Sequence, residues 1–190
     1  LDAGDPLLQN FEVQIGLIRD DPVRADADAL FAAWMTADQN SRTTPTALAV
    51  AYSEDGARNF AQVPIVFPPD ALQIDFDPTV VYDRIAGTAF VSLMRQSTVG
   101  AGRTLWLARS TGADAGAFEA ARMLEPSDGV SSLDKGWLAA GPSVDAGSLL
   151  YLTDRNGLRV SDDGGIRWSA PRPLPESSNL LQPVAFDDGS

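Results

Sequence analysis

The sequence contains no cysteine and no histidine. Without thiols there are no disulfides, no thiolate metal sites and no cysteine nucleophile. Without imidazole there is no Ser-His-Asp triad and no histidine-ligated metal. Any catalysis must therefore use carboxylates, Tyr, Lys, Arg or Ser. Basic residues are also scarce, with 14 Lys and Arg against 26 Asp and Glu, a formal charge of −12. That balance argues against binding to nucleic acid or to anionic membranes, both of which require clustered Lys and Arg. No apolar run approaches the ~20 residues that a membrane-spanning helix needs. No basic segment followed by an apolar one opens the chain. It begins at Leu1 rather than Met, so it is expected to be processed, trimmed or a fragment. The lack of cysteine is compatible with cytoplasm, periplasm or medium.

What is present describes a folded chain. Of its 190 residues, 44% are apolar, and 16 Gly and 13 Pro allow many turns without implying disorder. Short apolar stretches recur between Gly, Pro, Asp and Asn: Val13–Ile18, Ala29–Thr36, Thr46–Tyr52, Gln62–Phe67, Thr79–Tyr82, Thr88–Met94, Thr104–Ala108, Trp137–Ala140, Ser148–Thr153 and Leu158–Val160. Their length and β-branched content predict strands, and the regular turns between them predict an all-β sandwich, barrel or propeller. Ala115–Glu125 conflicts locally, because its helix formers and the spacing of Phe118, Ala121 and Leu124 read as helix. Trp34, Trp106 and Trp137 fall in strands, where core packing is expected ahead of a sugar-stacking platform.

A repeat narrows the architecture. Ser161–Trp168 fits Ser-x-Asp-x-Gly-x-x-Trp, with Ser161, Asp163, Gly165 and Trp168 at the fixed positions. Ser53–Phe60 follows the same frame through Ser53 and Asp55, with Ala57 for Gly and Phe60 for Trp; Ser110–Phe118 is a looser copy. A second element precedes each set of strands: Phe76–Asp83 is echoed at Leu181–Asp187, and more weakly from Phe11 and from Asp134. Within the turn, the Asp carboxylate is expected to accept backbone N–H groups, Gly165 to supply a positive φ, and the aromatic ring to cover the turn.

The cluster Ser161–Trp168 resembles the Asp-box of sialidases and related BNR-repeat proteins. The stretches DPTVVYDRIAGTAFVSLM and DKGWLAAGP…GSLLYLTDRNGLRVSDDGGIRWSAP resemble the blades of that superfamily. The resemblance implies an all-β, sialidase-like β-propeller, six-bladed when complete. This chain would supply about three blades and the first strand of a fourth. Residues 1–10 read as a leader and 11–190 as the partial propeller, with blades at about 12–67, 78–125 and 136–175 and the next beginning at 183–190.

The resemblance also implies where chemistry would lie. The family's enzymes clamp a sialic-acid carboxylate with three Arg, attack with a Tyr activated by Glu, and use an Asp as acid/base. The acid/base is expected after the second strand of the first blade, where Asp38 stands two residues later than the simplest alignment. The leading Arg-Ile-Pro-like segment has no counterpart, since Arg19 follows its strand, and the remaining parts belong to later blades. Glu12, Asp77, Lys135 and Gln182 occupy equivalent repeat positions at the start of the innermost strands, where converging groups could bind a ligand. Asp75, Asp77 and Asp134 could hold Ca²⁺ through oxygen ligation, although no EF-hand spacing is present; no other metal or cofactor is implied. Two readings stay open. One is a secreted glycan- or protein-binding scaffold or incomplete glycoside hydrolase domain. The other is an exo-α-sialidase-type hydrolase. Both imply a carbohydrate or glycoprotein ligand and an extracellular or periplasmic protein.

Overall fold

The run from Ala89 to Met94 is apolar at almost every position because both of its faces are covered. Side chains alternate across a strand. Ala89, Val91 and Leu93 enter one buried cluster, while Phe90 and Met94 enter another. The strand therefore lies in a sheet sandwiched between neighbours.

The computed structural model describes residues 8–19, 29–38, 47–68, 73–97, 103–112, 116–125, 135–143, 147–175 and 182–185. Among these, all regular structure is strand. The first sheet contains β1 (Leu8–Arg19), β2 (Ala29–Asp38), β3 (Ala47–Ser53) and β4 (Ala61–Gln62). The second contains β5 (Gln73–Asp83), β6 (Thr88–Ser97), β7 (Arg103–Arg109) and β8 (Arg122–Glu125). The third contains β9 (Trp137–Pro142), β10 (Ser148–Asp154) and β11 (Gly157–Ser161). Each sheet is an antiparallel meander in chain order. Beside β11, Leu158 and Arg172 exchange backbone hydrogen bonds of 2.9 and 2.8 Å, so the segment around Arg172 lines its free edge.

The sheets stack face to face. Phe31, Ala33 and Val50 of the first pack with Val91, Leu93 and Trp106 of the second. Phe90, Leu105 and Leu107 of the second pack with Leu138, Leu150 and Leu152 of the third. The first strands lie together, β5 against both β1 and β9. Trp34 and Trp106 are core residues, 0% and 4% exposed.

Three readings of the sequence need adjustment. Ala115–Glu125 is not helical where described: Glu119 N donates to Arg109 O and Ala121 N to Val66 O, both at 2.8 Å, and residues 122–125 form β8. Cross-strand partners take the N–H groups that a helix would have used. Of the Gln62–Phe67 stretch only Gln62 falls in a strand, β4; the rest crosses toward the second sheet, carrying Ile65 and Phe67 into the core it shares with the first. Finally, β1 begins at Leu8, inside the segment read as leader.

Candidate functional site at the starts of the inner strands

The first strands share an irregularity. In β1, Phe11 pairs with Met35 and Gln14 with Ala33; in β5, Phe76 pairs with Met94 and Thr79 with Ser92. Three steps along one strand match two along its partner, a one-residue bulge each time. Bulges bend the strand and re-aim a side chain. Glu12 and Asp77 stand at these two bulges. Asp77 has φ +53 and precedes Pro78, a conformation that an L residue before proline rarely adopts. Asp77 is half-buried.

In the third sheet, Lys135 holds the equivalent place, two residues ahead of the Trp137–Thr153 pair. Its Nζ lies 4.4 Å from the centroid of the Trp137 ring, a cation–π contact. It is the only lysine among 14 basic residues. That singularity is a signal in the sequence that motif reading passes over. Gln182 is exposed. Asp75 pairs across strands with Arg95, whose guanidinium lies 3.9 Å from the Phe67 ring centroid. Asp134 lies outside the described residues. Among the described residues no group of three acidic side chains is placed to hold a metal ion.

Register also separates two ends of the molecule. Asp38 closes β2 opposite Leu8, at the end where β1 starts. Ser53 pairs with Leu30 at the other end. The Ser-x-Asp turns thus lie at the end remote from Asp38, with the bulges midway along the strands.

The two described turns share one hydrogen-bond plan. Ser161 Oγ accepts from Gly165 N at 2.9 Å and donates to Asp163 Oδ1 at 3.0 Å. That carboxylate accepts the N–H groups of Ile166 and Arg167 at 3.0 and 2.8 Å, and Arg167 Nε reaches its other oxygen at 2.8 Å. Ser53 Oγ likewise accepts from Ala57 N at 3.1 Å. Asp55 accepts from Arg58 N and Asn59 N at 3.1 and 2.9 Å, and from Asn59 Nδ2 at 2.7 Å. Trp168 donates to Gly165 O at 3.1 Å; its ring is half-buried rather than enclosed, resting on the core between the second and third sheets. In the middle copy Ser110 Oγ donates to Gly112 O at 2.7 Å, and Asp114 lies outside the described residues.

These donors stabilise the carboxylates. The Asn59 side chain, then the N–H of Asn59 and the Ser53 hydroxyl, lower Asp55 from 3.8 to about 2. The N–H and then the guanidinium of Arg167 hold Asp163 well below the usual carboxylate range. A carboxylate depressed on folding stabilises the fold above its unfolded pKa and loses that contribution as pH falls toward its folded one. Asp55→Asn and Asp163→Asn should therefore lower stability most above about pH 4, the gap to wild type closing as pH falls. Urea unfolding at a series of pH values checks this; a constant gap would contradict it.

The turns also differ in a testable way. Ala57, exposed, adopts φ +66 where its counterpart Gly165 adopts φ +81. Left-handed backbone is strained for alanine, so Ala57→Gly should raise stability by about 0.5–1 kcal/mol, read as a higher urea midpoint.

No protein-family model matches the chain, and a search of curated proteins finds no match. Among solved structures it is similar to a Hadza microbial sialidase, at TM-score 0.57 and 14% identity over 88% of this chain. It spans 34% of that sialidase's length. A GH43 endo-arabinanase from Bacillus licheniformis is more distant, at TM-score 0.49 and 13% identity, over 91% of this chain and 61% of the arabinanase. At such identity the likeness establishes the fold. The chain is all-β and supplies part of a sialidase-like β-propeller.

Proposed function

We propose that the chain is part of a secreted, glycan-binding β-propeller, and that its ligand lies at the mouth formed by the starts of β1, β5 and β9. The observation that carries this reading is the repeated bulge, which places an acidic residue, Glu12 or Asp77, at the same point of two adjacent inner strands. Carboxylates accept hydrogen bonds from sugar hydroxyls, and the ammonium of Lys135 donates to hydroxyl or carboxylate oxygens. The Ser53–Phe60 and Ser161–Trp168 turns are Asp-boxes in this reading and serve the fold from the opposite end.

Asp38 favours a second reading, a glycoside hydrolase of exo-α-sialidase type. It ends β2 at the mouth side, opposite Leu8, where an acid/base could meet a glycosidic oxygen. In that reading the nucleophile and the Arg clamp come from further blades.

A panel of sialylated, neutral and arabinan oligosaccharides, titrated against the chain by tryptophan fluorescence, tests the first reading. Asp77→Asn should weaken binding about tenfold while the urea midpoint stays near wild type. Failure of every oligosaccharide to bind would overturn the assignment. Turnover of a fluorogenic sialoside by the chain, abolished in Asp38→Asn, would favour the second reading instead.

A further inference from the structure

Between the second and third sheets sits a buried polar group that the hydrophobic cores do not account for. Thr79 and Ser92 are a cross-strand pair on β5 and β6, 2% and 0% exposed. Their hydroxyl oxygens are 2.6 Å apart, and both lie within reach of the carbonyl oxygen of Gly136, at 2.6 and 2.9 Å. Two hydroxyl protons serve three short oxygen contacts. Two relays are therefore open, in which either hydroxyl donates to the other and the second donates to Gly136 O; chained hydrogen bonds of this kind strengthen one another where water is excluded.

The placement of this group is specific. Thr79 is the first paired residue after the Asp77–Pro78 bulge, and Gly136 directly follows Lys135. A Cβ on Gly136 would come within 2.8 Å of Leu105 Cδ1, so the missing side chain lets this segment pack closely against the core. The corresponding pairs in the other sheets are Gln14 with Ala33 and Trp137 with Thr153, neither of which offers two hydroxyls. The clamp therefore belongs to one junction, the one that joins Asp77 to the sole lysine.

We infer that Thr79 and Ser92 are positioning residues: by holding the Gly136 carbonyl they fix the chain at Lys135 and keep its ammonium over the Trp137 ring at the mouth. Whether that position serves a saccharide rests on the function proposed above; the positioning itself does not.

The single lysine makes the test direct. Reductive methylation with ¹³C-formaldehyde retains the charge and labels Lys135 and the α-amine alone. In the wild type the Lys135 methyl signal should be displaced upfield by the Trp137 ring current. Thr79→Val and Ser92→Ala should each move it toward the position of free dimethyl-lysine, while Thr79→Ser should leave it in place. If Thr79→Val does not fold, Ser92→Ala decides. A signal unmoved in folded Ser92→Ala, or moved equally by Thr79→Ser and Thr79→Val, would overturn the inference. In parallel, the variants that displace the signal should bind the oligosaccharides about five- to tenfold more weakly. If the wild type binds none of them while the signal responds as described, the glycan reading fails and the clamp stands.

Discussion

Gly165→Ala should destabilise the fold by about 2–5 kcal/mol. Two effects add. The residue adopts φ +81, where an L side chain is strained by ~1–2 kcal/mol. A Cβ there would also lie 2.7 Å from Leu107 Cδ2 and 3.4 Å from Leu150 Cδ1, in a core where overpacking costs ~1–3 kcal/mol. Leu107 belongs to the second sheet, so this turn is seated against its neighbour as well as folded on itself. Ala57, at the same place in the first turn, is exposed and meets only the first effect. Opposite shifts of the urea midpoint for Gly165→Ala and Ala57→Gly would confirm the account; a loss below about 1 kcal/mol for Gly165→Ala would contradict it.

Gly157→Ala should cost about 2–4 kcal/mol and should act locally. Gly157 has φ +134, and an added Cβ would run into the carbonyl oxygen of Arg172. That carbonyl accepts from Leu158 N at 2.9 Å, and Leu158 O accepts from Arg172 N at 2.8 Å. Backbone cannot give way as a flexible side chain can, so both bonds at the free edge of β11 should open. Hydrogen exchange at Leu158 and Arg172 should accelerate much more than at Leu150 or Leu152 in the core. Equal acceleration throughout would point to global destabilisation instead.

The parts legible in the sequence are those whose causes are local. All the hydrogen bonds around Asp163 fall within Ser161–Trp168, so a short pattern of residue types encodes the turn. The apolar run 89–94 announces a strand covered on both faces. Ala115–Glu125 misled because its partners are remote: Val66 supplies the acceptor for Ala121, and no helix propensity anticipates that bond. The same distance concealed the Thr79–Ser92–Gly136 group, whose members are 13, 44 and 57 residues apart in the chain. The bulges at Glu12 and Asp77 left a trace, the shared frame Phe-acidic-x-x. The strain at Asp77 needed the backbone to be seen.

The order of strands within the sheets bears on how the chain reaches this state. In every described sheet each strand pairs with its neighbour in sequence, so no pairing waits for a distant segment. A chain emerging from a ribosome meets its partners in the order in which they are made, and each meander can close before the next begins. What is not local is the seam. Val66, leaving the first meander, accepts a hydrogen bond from Ala121 just before β8. The second meander is thus completed against a strap laid down by the first, which gives assembly a direction, from the amino-terminal sheet onward.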